Sequence, residues 1–242
     1  MTPHPRGFTG DWTALLSDSF HLIVGHIWLS VIAALLFVAG LGTAVPVVRN
    51  DCRWLMAFPL WIVRQVLRIV GPGLPPVRVF LLIFLFNSIA IFLYMLSGVL
   101  LVLPAAVAFL TGVNIGVVVL RGGEIQLPSG ERPLAAAAGA EHGRAVPSWV
   151  SLCTLAVFVL ELPSFWVAVG MGIGMGNKLS AADGYTLANL QSLLLPRIYA
   201  YLLVIVPALF ISALAETAAI RGHAAAGPPA AGRDGDGGSD NR

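Results

Sequence analysis

Residues 79–120 read VFLLIFLFNSIAIFLYMLSGVLLVLPAAVAFLTGVNIGVVVL, 42 positions without an Asp, Glu, Lys, Arg or His. As one helix rising 1.5 Å per residue this stretch would run about 63 Å, twice the roughly 30 Å hydrocarbon core of a bilayer. It therefore predicts two crossings joined by a hairpin. The turn is expected near residues 98–104, because Pro104 cannot donate a hydrogen bond to the preceding turn. A chain built around such a stretch is an all-α polytopic membrane protein, a helical bundle partnered by the lipid bilayer.

Outward from this hairpin, residues 27–48 supply a first span without a charge, with Pro46 close to its end where a helix tolerates it best. Residues 79–99 and 102–120 are the second and third spans. Residues 149–176 form a fourth, interrupted by Glu161, and residues 198–216 a fifth, close to the lower length limit. The transmembrane domain thus covers residues 27–217. Composition agrees: hydrophobic residues make up 57% of the 242, charged residues 11%, and mean hydropathy is +0.86. A soluble domain carries roughly a quarter charged residues. The net charge of +2 is too small to point to a nucleic-acid partner.

Residues 52–70 have a different pattern. Arg53, Arg64 and Arg68 cluster on one side of a helical wheel, opposite Leu55, Phe58, Ile62, Val66 and Ile69, with Trp54 and Trp61 between. This describes an amphipathic helix lying in the interface, kinked at Pro59, with a sixth span as the competing reading. Residues 1–26 form an amino-terminal lead-in, helical from about residue 12. Residues 177–196 suggest a short amphipathic helix on Leu187, Leu190 and Leu194. The tail, residues 218–242, is poor in bulky side chains from Gly222 onward and reads as disordered.

The basic residues set an expected orientation. Five spans leave Arg6, Lys178 and Arg197 on one side and the other eleven arginines on the opposite side. Positive charge stays in the cytoplasm, so the amino terminus is expected outside and the carboxyl terminus in the cytoplasm. The first apolar stretch is too long for a cleavable signal peptide, and its leading flank is not basic. Cys52 and Cys153 then lie near a reducing face and match no metal or redox spacing, which argues against a disulfide.

Polar residues inside the spans are the candidate site. An ionised carboxylate at membrane depth costs on the order of 3 kcal/mol, so Glu161 must face protein or water. It can serve as a proton or cation site, as an anchor for a partner's helix, or as a structural carboxyl. Pro163 frees the Val159 carbonyl close by. Asn87 and Asn114, on the second and third spans, are candidate partners in a buried polar cluster with Glu161. Gly112 and Gly116, then Gly170 and Gly174, show the small-xxx-small spacing that lets helix backbones approach. No nucleophile–base pair, metal-ligand cluster or phosphate-binding glycine loop is visible, so neither catalysis nor a cofactor is expected.

Residues 80–116, FLLIFLFNSIAIFLYMLSGVLLVLPAAVAFLTGVNIG, and residues 161–176, ELPSFWVAVGMGIGMG, resemble the stage II sporulation protein M family. The matching positions are Asn87; Gly112 and Gly116; and Glu161, Leu162, Pro163, Gly170 and Gly174. The resemblance covers roughly residues 75–215. Ser88 replaces a second asparagine, Thr111 another, and Val157 and Phe158 replace a His-Gly pair, the marks of a divergent member. The resemblance implies five spans, a bacterial plasma membrane, and a non-enzymatic scaffold that joins other membrane proteins in envelope or peptidoglycan remodelling. A homo-oligomer would serve the same end, and a transporter subunit with Glu161 in a polar path is the competing function. The eleven-to-three asymmetry predicts that reporter fusions at Gly139 and after Arg242 both read as cytoplasmic. An exported signal from either would overturn the topology.

Overall fold

The computed structural model describes residues 12–70, 75–121, 148–181 and 185–225. The amino-terminal eleven residues, the segment 122–147 and the tail from residue 226 lie outside these, as does most of the stretch expected to be disordered. Among the described residues every element is helical and none is a strand. In chain order they are α1 (Trp12–Gly25), α2 (Ile27–Arg49), α3 (Arg53–Val70) and α4 (Pro76–Leu96), which runs into a 3₁₀ turn (Ser97–Val99). There follow α5 (Leu103–Arg121), α6 (Ser148–Ala181), α7 (Leu187–Ala200), a π-helical turn (Tyr201–Ile205) and α8 (Val206–Ala225).

Five helices are long and apolar enough to cross a bilayer: Ile27–Arg49, Pro76–Val99, Leu103–Arg121, Ser151–Ala181 and Leu187–Gly222. The chain is a multi-pass membrane protein. α3 is not one of the five.

The last two helices depart from the sequence expectation. The fourth continues past residue 176 to Ala181, at 34 residues about 51 Å long. The fifth begins at Leu187, where the Thr186 hydroxyl caps it by accepting from Asn189 N at 3.2 Å. It then continues through Pro196, the π turn and α8. The stretch expected as a separate short helix is therefore the first part of the last span. At its other end the helix persists to Ala225, so residues 218–225 are not disordered. Extending an existing helix costs far less than nucleating one, and this stretch is alanine-rich. Ala219 and Gly222 are also buried.

α2 and α5, the first and third spans, pack as a parallel pair whose backbones touch. A methyl group on Gly112 would overlap the Phe37 carbonyl oxygen and lie 2.9 Å from Leu41 N. One on Gly40 would overlap the Phe109 carbonyl, and one on Gly116 would meet the Ala44 methyl. Below this seam Ala44, Val47, Val113 and Val117 form a small core that receives Met56 of α3. α3 thus rests on the bundle through Met56, with Cys52, Leu55 and Leu60 beside it, while Phe58, Trp61 and Ile69 remain exposed. Met56 was not on the apolar face read from the wheel. The larger core lies between α2, α4, α6 and the last span. There Phe37 meets Phe165 edge-on at 5.9 Å, and Tyr94 meets Phe165 at 5.4 Å.

The two faces of α2 give a controlled comparison. Gly42 has open space around its missing side chain, unlike Gly112, which faces α2 from α5. Gly112→Ala should destabilise the folded protein by about 1–3 kcal/mol, because the backbones must separate. Gly42→Ala should be neutral or stabilise by up to about 1 kcal/mol through helix propensity. Reversible unfolding in mixed micelles measures both, and equal effects would mean that the seam does not constrain the bundle.

Candidate functional site

The glycine run of α6 is gripped from two sides. A methyl on Gly170 would lie 2.5 Å from Ser30 Oγ and 2.7 Å from Ser30 N, and one on Gly174 would overlap the His26 ring. Two residues on, a methyl on Gly172 would lie 2.9 Å from the Met95 carbonyl, and one on Gly176 would lie 2.8 Å from the Gly98 carbonyl. Alternate glycines therefore point to opposite neighbours: the α1–α2 elbow on one side, the end of α4 and its 3₁₀ turn on the other. Pro163 lies inside α6 on an exposed position, and α6 continues through it.

This grip builds a polar node that residue patterns alone did not suggest. Arg197, counted above among the loop cations, is buried, with 1% of its surface exposed. Its Nε donates to the Met171 carbonyl at 3.0 Å and its Nη1 to the Leu193 carbonyl at 2.5 Å. Its Nη2 lies 3.3 Å from His26 Nε2. The other ring nitrogen, Nδ1, is 2.7 Å from the Leu22 carbonyl and must donate to it. His26 is thus the neutral Nδ1–H tautomer, with Nε2 accepting from the guanidinium. Among the described residues the ion pairs involve Asp51 alone, so the Arg197 charge is held by carbonyls and an imidazole. A buried guanidinium is tolerable when its N–H groups are bonded, each charged bond contributing about 1.5–3 kcal/mol.

The sequence carried two signals for this node. Arg197 follows Pro196 inside a run that reads as apolar, and His26 directly precedes the first span with Ser30 one turn on. Ser30 Oγ bonds back to the His26 carbonyl at 3.2 Å.

The candidate cluster of Asn87, Asn114 and Glu161 is placed on three helices, α4, α5 and α6, each residue half-buried. No hydrogen bond joins the three. Glu161 instead faces α8, where the Glu216 carboxylate and the Ser212 hydroxyl, four residues apart on one face, lie against it. Ser212 is 1% exposed, and its hydroxyl points toward the carboxyl without closing a well-formed hydrogen bond. Glu216 was not singled out from sequence, because it falls at the expected end of the fifth span. One turn on from Arg197, Tyr201 donates to the Ser88 carbonyl at 2.5 Å and ties the π turn to α4. Cys52 and Cys153 are free thiols.

No family model, curated protein or solved structure matches this chain.

The His26 geometry has a pH consequence. Burial holds its imidazole below the ordinary value of 6.5; the bond to Leu22 opposes this, and the charges of Arg197 and Lys178 reinforce it. Below 6.5 the unfolded state binds more protons than the folded one, so the node's full contribution is present above that pH. It is lost as pH falls from there through the lowered folded value. The protection factors for hydrogen exchange in α1, taken relative to the intrinsic exchange rate at each pH, should fall on going from pH 8 to pH 5, and His26→Gln should remove most of that dependence. Equal pH dependence in the variant would show that His26 is not the titrating group.

Proposed function

We propose that this chain is a non-enzymatic scaffold of the plasma membrane, a rigid multi-pass subunit that positions other membrane proteins, or copies of itself. The observation that carries this reading is the backbone-to-backbone packing of α6 against two neighbours and of α2 against α5. Such contacts suit a fixed body better than a carrier that must rearrange, since a helix seated on carbonyl oxygens cannot slide without steric cost. Two open cavities lie at opposite ends of the bundle, one beside Leu100–Leu103 and Tyr185, the other between α3 and Arg121, and neither includes Glu161.

The resemblance to the stage II sporulation protein M family supports the same reading and adds its setting: a divergent member in a bacterial plasma membrane, acting in envelope or peptidoglycan remodelling. The orientation proposed from the basic residues, amino terminus outside and carboxyl terminus in the cytoplasm, gains from the burial of Arg197. One of the three cations on the poorer side is then not a surface charge, which widens the asymmetry. α3, with its exposed tryptophans, is proposed to lie along the cytoplasmic leaflet. Crosslinking in native membranes followed by purification should recover stoichiometric membrane partners or a defined oligomer. Recovery of the chain alone as a monomer would overturn the scaffold.

A second reading, a transporter subunit, is favoured by the carboxyl pair. Glu161 and Glu216 bring two acidic groups together at membrane depth, where each is costly and commonly marks an ion path. Glu161→Gln separates the two functions. The scaffold requires a variant that folds, assembles and functions nearly as the parent does, because the amide keeps hydrogen-bonding capacity. A correctly assembled but inactive variant would favour transport.

A further inference from the structure

Hydroxyl groups inside an apolar helix can satisfy themselves by bonding back to the carbonyl one turn earlier, since a bilayer offers them little else. Ser30, Thr43, Ser164 and Thr217 do so, at 3.2, 2.8, 2.6 and 2.8 Å. Ser212 does not. It is 1% exposed, and its Oγ has no hydrogen-bond partner, neither the Ala208 carbonyl one turn back nor any other. The hydroxyl is turned toward the Glu161 carboxyl on α6, and Glu216 lies one turn along α8 from Ser212 on the same face. Glu161 and Glu216 are both half-buried, on helices that pack together.

Two acidic groups this close in a poorly solvated setting cannot both carry an uncompensated charge. No basic side chain of the packed helices compensates them. Arg78 of α4 and Arg221 of α8 form no ion pair with either carboxyl, and Lys178 lies at the far end of α6. Arg197 is bonded to two carbonyls and His26. Protons alone would let the two acids and the hydroxyl close direct hydrogen bonds on one another, yet Ser212 closes none. Oxygens that share a cation stand apart, because each contacts the ion and not its neighbour. Carboxyl and hydroxyl oxygens are the hard donors that alkali and alkaline-earth ions take. No group of three His, Cys, Asp or Glu gathers among the described residues, which disfavours a divalent metal. A monovalent ion on one carboxylate, with a proton kept on the other, leaves the site neutral. Neither open cavity reaches Glu161, so the ion must be small and held without its hydration shell.

We propose that Glu161, Glu216 and Ser212 hold a small monovalent cation, sodium by its size, between α6 and α8. This rests on the carboxyl pair of the transporter reading but requires binding alone, since an ion that never leaves would join the two helices of a scaffold equally well. The test uses the full chain in detergent micelles, with thermal unfolding followed in sodium, potassium or choline chloride at equal ionic strength. Sodium should raise the melting temperature saturably, potassium should need about tenfold more, and choline should have no effect. Ser212→Ala should weaken the sodium response about tenfold, and Glu161→Gln and Glu216→Gln should each abolish it. Asp51→Asn removes an acidic charge outside the site and keeps a residue that tolerates the left-handed backbone there (φ 48°), so it should leave the response intact. Equal effects of the three salts, or of sodium and potassium, would overturn the proposal, as would an equal loss in Asp51→Asn. So would a parent protein indifferent to sodium, in which protons alone neutralise the pair. Should the Gln variants melt too early to compare, retention of sodium-22 in the cold by the parent and by Ser212→Ala replaces them. The parent should retain the ion at concentrations where the variant does not, and equal retention would overturn the site. Sodium-22 uptake into vesicles then separates binding from transport. Retention without uptake upholds the site and removes the transporter, whereas uptake without retention, unchanged in Glu161→Gln, would overturn this site and leave transport to another path.

Discussion

Helices surrounded by hydrocarbon gain little from hiding apolar side chains from one another, because lipid is as good a neighbour as leucine. What holds them together is close packing, and close packing is greatest where two backbones touch. This bundle is organised by such contacts: Gly112 on the Phe37 carbonyl, Gly170 on Ser30, Gly172 on the Met95 carbonyl and Gly176 on the Gly98 carbonyl. The first joins α2 to α5. The others seat α6 between the α1–α2 elbow and the end of α4, which makes α6 the axis on which the remaining helices converge. The aromatic contacts of Phe37, Tyr94 and Phe165 fill the space that these seams define.

The same close approach makes the polar node at the end of the bundle possible. Gly174 lies against His26, so the imidazole can sit beside the α6 backbone, and Arg197 reaches the Met171 carbonyl three residues earlier. One guanidinium thus bridges α6, its own helix and the residue that joins α1 to α2. The helical alternative for a positive charge at this depth would be an acidic partner. Carbonyl and imidazole acceptors meet the same hydrogen-bonding demand without placing a second charge in a poorly solvated region. That choice makes the junction sensitive to the protonation of a single ring.

The opposite end is built on different terms. Asp51 and Arg53 are exposed and Arg121 is half-buried, and ion pairs so open to solvent contribute little to stability. Their importance is geometric: the α2–α3 turn is tied to the end of α5, and α3 is seated on Met56. Between the two ends, Glu161 and Glu216 are close enough across the α6–α8 contact to influence each other electrostatically, with Ser212 on the same face of α8 as Glu216. Three polar features at three depths, each joining helices distant in sequence, therefore divide the bundle into a tightly packed end, a middle carrying acidic groups, and a basic rim.

From the residues alone the class, the five apolar spans and the amphipathic character of 53–70 were legible, because each is set by a local window: the length of an apolar run, or its lack of charge. The glycine spacings could also be read, since a helix repeats its faces every three to four positions. What could not be read was which faces meet. In a soluble helix the buried side is marked by hydrophobic periodicity, but here the lipid-facing and core-facing sides are equally apolar. α4, for example, buries only Val79, Ile91 and Met95 of its 21 residues, yet it is hydrophobic all round. Asn87 and Asn114 looked like partners for Glu161, whereas the fold turned Glu161 toward Glu216 and Ser212. His26 and Arg197 are 171 positions apart, and Arg197 read as a loop cation, yet the two form one buried contact. Local composition determined that this chain enters a membrane and how many times. Only the tertiary structure decided which polar groups find each other, because in a bilayer that choice follows from backbone fit between helices and leaves no periodic trace in the sequence.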